Sequence, residues 1–103
     1  MSAQASGSPF KYKVDISSFI KAEIKTLAKQ AAALGQQQAY VEAGREIEKR
    51  LQSEPLQFGK CHYYMSKGKL RCHIGVVGPV AVEFAIHEEK RAVVLLKVSL
   101  LGI

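Results

Sequence analysis

Apolar and polar residues alternate from Phe10 to Ile16, with Phe10, Tyr12, Val14 and Ile16 on one side and Lys11, Lys13 and Asp15 on the other. This period of two predicts a half-buried strand. The period then changes. Phe19, Ile20, Ile24, Leu27, Ala28, Ala31 and Leu34 recur at helical spacing, Asp15 or Ser17 can accept the free amides at the start, and Gly35 can end the helix in a left-handed cap. Tyr40, Val41, Gly44, Ile47 and Leu51 predict a second helix, with Glu46 four residues before Arg50 for an exposed ion pair and Pro55 marking its end. The short connection predicts an antiparallel helix pair, in which Gly44 is either a point of close backbone approach or an ordinary weak spot.

After Gly59 the chain returns to period two. Cys61 to Met65, Lys69 to Val76, Val80 to His87 and Ala92 to Leu100 are strand candidates, separated by Ser66-Lys67-Gly68, Val77-Gly78-Pro79 and Glu88-Glu89-Lys90. The predicted class is α+β: an N-terminal strand, an antiparallel helix pair, then an antiparallel meander of three to four strands, with the helices packed on one sheet face.

Register decides which residues share a face, because a slip of one residue moves every side chain to the other side. A turn at Lys67-Gly68 predicts Tyr63 opposite Cys72 and Met65 opposite Leu70 on the core side, with His62 facing His73 and Tyr64 facing Arg71 outside. A three-residue loop at Val77 to Pro79 pairs Ile74 with Val82 and Cys72 with Phe84, placing His73 opposite Glu83 and Lys69 opposite His87. A three-residue loop at Glu88 to Lys90 puts Val94, Leu96 and Val98 inside, with Val93, Leu95, Arg91, Lys97 and Ser99 outside. That last strand is apolar on both sides and is predicted to be central. His62, Tyr64, Arg71 and His73 are accordingly expected to be more exposed than Cys61, Tyr63, Leu70 and Cys72. Ile24, midway along the first helical stripe, is expected in the core.

Composition adds a size and a sign. The 103 residues, 48% hydrophobic and 23% charged, suit one packed domain over residues 10 to 103 behind a small polar tail at residues 1 to 9, expected to be flexible. The longest apolar run, Ala92 to Leu96, is interrupted by Lys97 and is far short of a membrane span, and Met1 to Pro9 has no apolar stretch behind a basic start, so no membrane association or secretion is expected. Cys61 and Cys72 are too few for a disulfide scaffold and lack the spacing of a zinc site, which predicts buried free thiols in a reducing cytoplasm.

Fifteen Lys and Arg against nine Asp and Glu give +6, which favours anionic partners without choosing among them. Residues 55 to 82 contain Lys60, Lys67, Lys69 and Arg71 and no acidic residue. In the predicted register the helix-free face carries His62, Tyr64, Lys69, Arg71, His73, Glu83, His87, Arg91 and Lys97. Lys67, Lys69, Arg71, His73, Arg91 and Lys97 are therefore candidate RNA or phosphate ligands, with Tyr64 able to stack on a base. The bland alternative is a solvated basic face with an Arg71–Glu83 cross-strand pair. His62, His73 and Glu83 are within reach of one another as metal ligands or an acid–base pair, but strands place polar residues side by side without purpose, and neither metal nor cofactor is expected.

Phe10-Lys11-Tyr12-Lys13-Val14 leading into a helix, Leu51-Gln52-Ser53-Glu54-Pro55 closing the helical part, Lys69-Leu70-Arg71, Gly78, Val82 to Glu89 and Val93 to Val98 together resemble the RelE/ParE superfamily of bacterial toxins, the plasmid-stabilisation type of toxin–antitoxin system. The resemblance covers nearly all of residues 10 to 101. It implies a small cytoplasmic toxin, neutralised by an antitoxin whose peptide wraps it, that either cuts mRNA on the ribosome without a metal or blocks gyrase. The sequence departs from the ribonuclease pattern. Pro79 and Val80 stand where the family has an aromatic residue and an Arg, and Ser99-Leu100-Leu101-Gly102-Ile103 stands where it has a basic residue, Arg and Tyr. Only Lys67, Lys69 and Arg71 fall near the family's phosphate-binding positions. The resulting expectation is a toxin-fold protein that binds a partner, with slow or no RNA cleavage. The alternatives are an endoribonuclease using Lys67, Lys69, Arg71 and His73, and a non-toxic fold relative or RNA-binding module.

Overall fold

A computed structural model describes residues 11–66 and 68–101. The tail at residues 1–9, Phe10 and the candidate Lys67 lie outside the described residues. Strand β1 (Lys13–Asp15) is followed by α1 (Ser18–Ala33), α2 (Gln37–Ser53), a 3-10 turn (Pro55–Gln57), and strands β2 (Lys60–Met65), β3 (Leu70–Val77), β4 (Val80–His87) and β5 (Ala92–Leu100). The sheet order is β1-β5-β4-β3-β2; β1 pairs parallel with β5 and the other neighbours are antiparallel. The expected α+β class holds, and β5 lies inside the sheet as its apolar sides predict.

The helices begin and end for local reasons. Ser17 is the N-cap, its hydroxyl accepting from the Ile20 amide at 3.2 Å. At the other end Gly35 takes φ +73°, and the amides of Gly35 and Gln36 donate to the Ala32 and Ala31 carbonyls, a left-handed cap that turns the chain into α2. Tyr40 ties the two helices together: its hydroxyl donates to the Ile24 carbonyl at 2.8 Å, and burial pushes the phenol pKa up. Gly44 is not a point of close approach. A Cβ there would meet nothing within 4 Å, and Ala43 is the buried residue of that turn.

One layer of core lies between the helix pair and the sheet. Leu27, Ala31, Ile47 and Leu51 meet Val80, Val82, Phe84, Ile86, Val93, Leu95, Val98 and Leu100. Phe84, Ile86 and Val93 lose all solvent contact, each burial contributing about 1.5–3 kcal/mol. Ile24 is only partly buried against this core, less deep than its place in the stripe predicts.

Four irregularities revise the expected faces. The β3–β4 connection is the two-residue turn Gly78-Pro79, with Gly78 at φ +54°, so Val77 pairs with Val80 and the register moves by one. His73 then pairs with Phe84, and Ile74 with Glu83. The β4–β5 connection has four residues, Glu88 to Arg91, with Arg91 at φ +51°. A bulge at Leu96 next reverses the alternation, so that Val93, Leu95, Val98 and Leu100 are buried while Val94 and Leu96 are exposed. In the first hairpin Tyr63–Cys72, Tyr64–Arg71 and Met65–Leu70 pair as expected, but a bulge at His62 replaces the His62–His73 pair by Cys61–His73.

Arg71 and His73 consequently share the core-side face with Val82, Phe84 and Ile86, whereas Cys72, Glu83, His87 and Lys97 share the helix-free face. The expected exposure order fails: His73 is 5% exposed and Tyr63 49%. Cys72 is buried, on the helix-free side, and Cys61 is an exposed thiol rather than a buried one. The Cys72 thiol opposite Tyr63 pushes the Tyr63 phenol pKa up. Among the described residues no helix is long and apolar enough to cross a membrane.

Candidate functional site

The helix pair leaves the β2–β3 end of its own sheet face open. Here a cleft of about 390 Å³ is lined by Leu56, Gly59, Cys61, Arg71, His73 and Glu88. A second hollow, about 310 Å³ between α2 and the sheet, is lined mainly by apolar groups such as Ile24, Ile47, Val82 and Leu95 and holds little chemistry. The first gathers a cation, an imidazole, a thiol and a carboxylate.

The cleft depends on two glycines. Gly59, at φ +71°, brings the chain so close to β3 that a Cβ would lie 2.2 Å from the Ile74 carbonyl oxygen. Gly75 leaves room for the Phe58 ring, which a Cβ there would meet at 2.6 Å. Phe58 thus lies flat against the sheet, stacked on Phe84 at 5.5 Å, with the Arg50 guanidinium 5.5 Å from its ring centre on a helix that also supplies Glu46 at 2.8 Å. The Arg50 hydrogen bond holds the Glu46 carboxyl below the usual carboxylate range.

This placement puts the Phe58 carbonyl 3.0 Å from His73 Nδ1. A carbonyl only accepts, so Nδ1 carries the hydrogen, and in the neutral ring Nε2 is left with the lone pair. His73 is otherwise enclosed, its ring 5.6 Å from that of Phe84.

Arg71 sits two residues away on the same face. Its guanidinium is 5.3 Å from the Tyr64 ring centre, a cation–π contact across the β2–β3 pair, and it forms an ion pair with Glu88 that raises its pKa further. Register explains the partner: Ile86 is opposite Arg71, and Glu88, two residues on, leans back from the same side. Lys69, held at φ +54° in the hairpin turn, pairs with Glu89.

Among the expected site residues, Tyr64, Arg71 and His73 therefore come together, with Lys69 beside them at the hairpin tip. Lys97 pairs with Glu83 in β5–β4 register on the opposite face, so it is remote from them, and Arg91 lies in the β4–β5 turn. Arg71 pairs with Glu88 and not Glu83, and His73 is buried behind the cleft rather than displayed on an open face. His62 is the bulge residue of the edge strand, its ring 5.4 Å from that of Tyr63. Sequence reasoning missed Cys61, the Phe58 carbonyl and Glu88. The acidic pair Glu88-Glu89 in a turn, one strand from a hairpin without acids, was the available signal for the last.

No group of three or more His, Cys, Asp or Glu side chains among the described residues is arranged to hold a metal ion. The cleft holds one cation, Arg71, paired with the Glu88 carboxylate, beside one imidazole and one thiol; the second pair, Lys69 with Glu89, lies at the hairpin tip.

No family model matches this chain, and no curated protein is significantly similar to it. Among solved structures it is similar to a chain of the crystal structure of the archaeal RelE–RelB complex from Pyrococcus horikoshii OT3, with a TM-score of 0.57 and 20% identity over 89% of this chain and 97% of that one. At that identity the likeness is one of fold, and the fold of this chain is RelE-like.

Proposed function

We propose that this chain is a RelE-like protein of the toxin–antitoxin kind whose principal act is to bind a protein partner, and that its basic hairpin is not an open phosphate site. The observation that carries this reading is the pairing of Arg71 with Glu88 and of Lys69 with Glu89. Each exposed pair is weak, about 0–1 kcal/mol, but what gathers RNA is net field rather than pair strength, and two cations facing two carboxylates offer little. The absence of an Arg after Gly78 points the same way, since Pro79 and Val80 cannot stabilise developing charge. A fold like that of a chain crystallised as RelE with RelB supports a small antitoxin-like chain as the partner class, and the net charge of +6 favours an acidic one. Residues 10 to 103 act as one domain in this reading, in the cytoplasm.

Induced expression should slow growth, and the product of an adjacent small reading frame should restore it and bind the purified chain with defined stoichiometry in calorimetry. No growth effect together with no binding would sink the toxin–antitoxin reading and leave a fold relative.

One observation favours a second reading. His73 Nε2 is the free nitrogen of an imidazole that lines the same cleft as Arg71, an arrangement able to take the proton of a ribose hydroxyl beside a cation that steadies the phosphate. Cleavage of ribosome-bound mRNA that disappears in both His73→Gln and Arg71→Ala would establish this endoribonuclease reading over the first.

A further inference from the structure

The sheet face turned away from the helices exposes several large apolar side chains among its charged ones. The register sets Tyr63, Cys72, Ala85 and Val94 in one row across four strands, Met65 with Leu70 in the row on one side, and Ile74 and then Val76 with Ala81 in the rows on the other. Tyr63, Met65, Val76, Val94 and the bulge residue Leu96 are 40 to 55% exposed. Isolated exposed apolar residues need no explanation, but a run of them across a sheet does.

We infer that this face is the interface of a two-fold homodimer in which a second copy of the chain packs sheet against sheet. Three features select a copy of the same chain. The first is charge: the face carries both signs, Glu83 opposite Lys97 near its middle, Lys60 in the same row at one edge, and Lys13 and Asp15 at the other edge. A two-fold rotation can set carboxylate against ammonium here, whereas a peptide of a single sign would meet like charge, at Glu83 and Asp15 or at Lys13, Lys60 and Lys97. The second is size. Five strands about 4.8 Å apart, of three, six, eight, eight and nine residues at about 3.3 Å each, make a face of roughly 500 Å², so a pair of copies buries about 1,000 Å² in total, the lower bound of a specific interface.

The third feature is the edge. Strand β2 is exposed along its whole length, but the bulge at His62 breaks its regular row of amides and carbonyls and disfavours pairing edge to edge. Association is thereby directed to the face, in the manner of a β-sandwich. The interface lies on the opposite side of the sheet from the Arg71–His73 cleft, so it does not depend on what that cleft binds.

Sedimentation velocity of the full chain under reducing conditions, where the exposed Cys61 cannot link copies, tests this from low micromolar to several hundred micromolar protein. The expected result is a monomer–dimer equilibrium with a dissociation constant on the order of 10 µM. Val76→Glu with Val94→Glu should abolish the dimer, while Val41→Glu on the exposed side of α2 should leave it unchanged. A soluble paramagnetic agent reads the same face in the parent chain if the double variant fails to fold: the methyl signals of Val76 and Val94 should lose relaxation enhancement as concentration rises, and those of Val41 should not. A chain that stays monomeric throughout, a dimer that survives the double substitution in a folded variant, or protection confined to the Val41 side overturns the inference.

Discussion

The carbonyl of Phe58 accepts a hydrogen bond from Nδ1 of His73 at 3.0 Å, across fifteen residues of sequence, and this bond fixes both the loop after α2 and the ring that lines the cleft. The ring is 5% exposed, so removing it leaves a cavity and an unpartnered buried carbonyl together. His73→Ala should cost about 2–4 kcal/mol in denaturant unfolding. Nitrogen-15 spectra of the neutral ring should show the hydrogen on Nδ1. The opposite tautomer would remove the basis for Nε2 as a proton acceptor.

The same loop makes Gly59 intolerant of a side chain. Ala at this position meets a left-handed φ of +71° and the Ile74 carbonyl at once. Gly59→Ala should destabilise by about 2 kcal/mol or more, the sum of strain and overpacking. Gly44→Ala on α2, where a Cβ meets nothing within 4 Å, should be neutral or stabilise by about 0.5–1 kcal/mol, because Ala is the better helix former. Thermal unfolding of the two variants side by side checks the contrast.

Depth in the α1 stripe should be measurable. Leu27 is buried in the core cluster, while Ile24 is half-buried beside the apolar hollow. Leu27→Ala should cost about 2–5 kcal/mol and Ile24→Ala about 1–2 kcal/mol. Equal losses would place Ile24 deeper than its exposure indicates.

The Glu46–Arg50 pair gives a pH dependence of known sign. Its folded-state carboxyl is held below the usual range by the Arg50 hydrogen bond, so its contribution to stability is fully present above the ordinary carboxylate pKa and is lost as pH falls through the lower folded value. Thermal midpoints of the parent and of Glu46→Gln should differ at neutral pH and converge in acid. A difference that grows on acidification would contradict the pairing.

If the hairpin binds RNA, its acidic turn should restrain it. Glu88→Gln with Glu89→Gln releases Arg71 and Lys69, so affinity for a single-stranded RNA should rise at low salt and the slope of log K against log salt should steepen by up to about 1.4, at about 0.7 for each freed cation. Lys69→Gln with Arg71→Gln should reverse the effect with the thermal midpoint nearly unchanged, since these ion pairs are exposed.

The elements of this fold are local and were legible. The helical stripe from Phe19 to Leu34, the cap at Gly35, the stop at Pro55 and the alternation after Gly59 are all set by neighbours within a few residues, and the structure places helices and strands where they predict them. Which face each strand turns to the helices was not legible, because period two specifies alternation and leaves its phase open. One residue fewer in the Gly78-Pro79 turn, one more in the Glu88 to Arg91 turn, and single extra residues at His62 and Leu96 each shift that phase, and both faces of β5 are apolar enough to accept either result. The tertiary structure settled it by burial: Phe84, Ile86 and Val93 fill the space under the helices. His73 follows them inward because Gly59 and Gly75 let the Phe58 loop close over it and supply a carbonyl for its hydrogen, a contact between distant segments that no local pattern encodes.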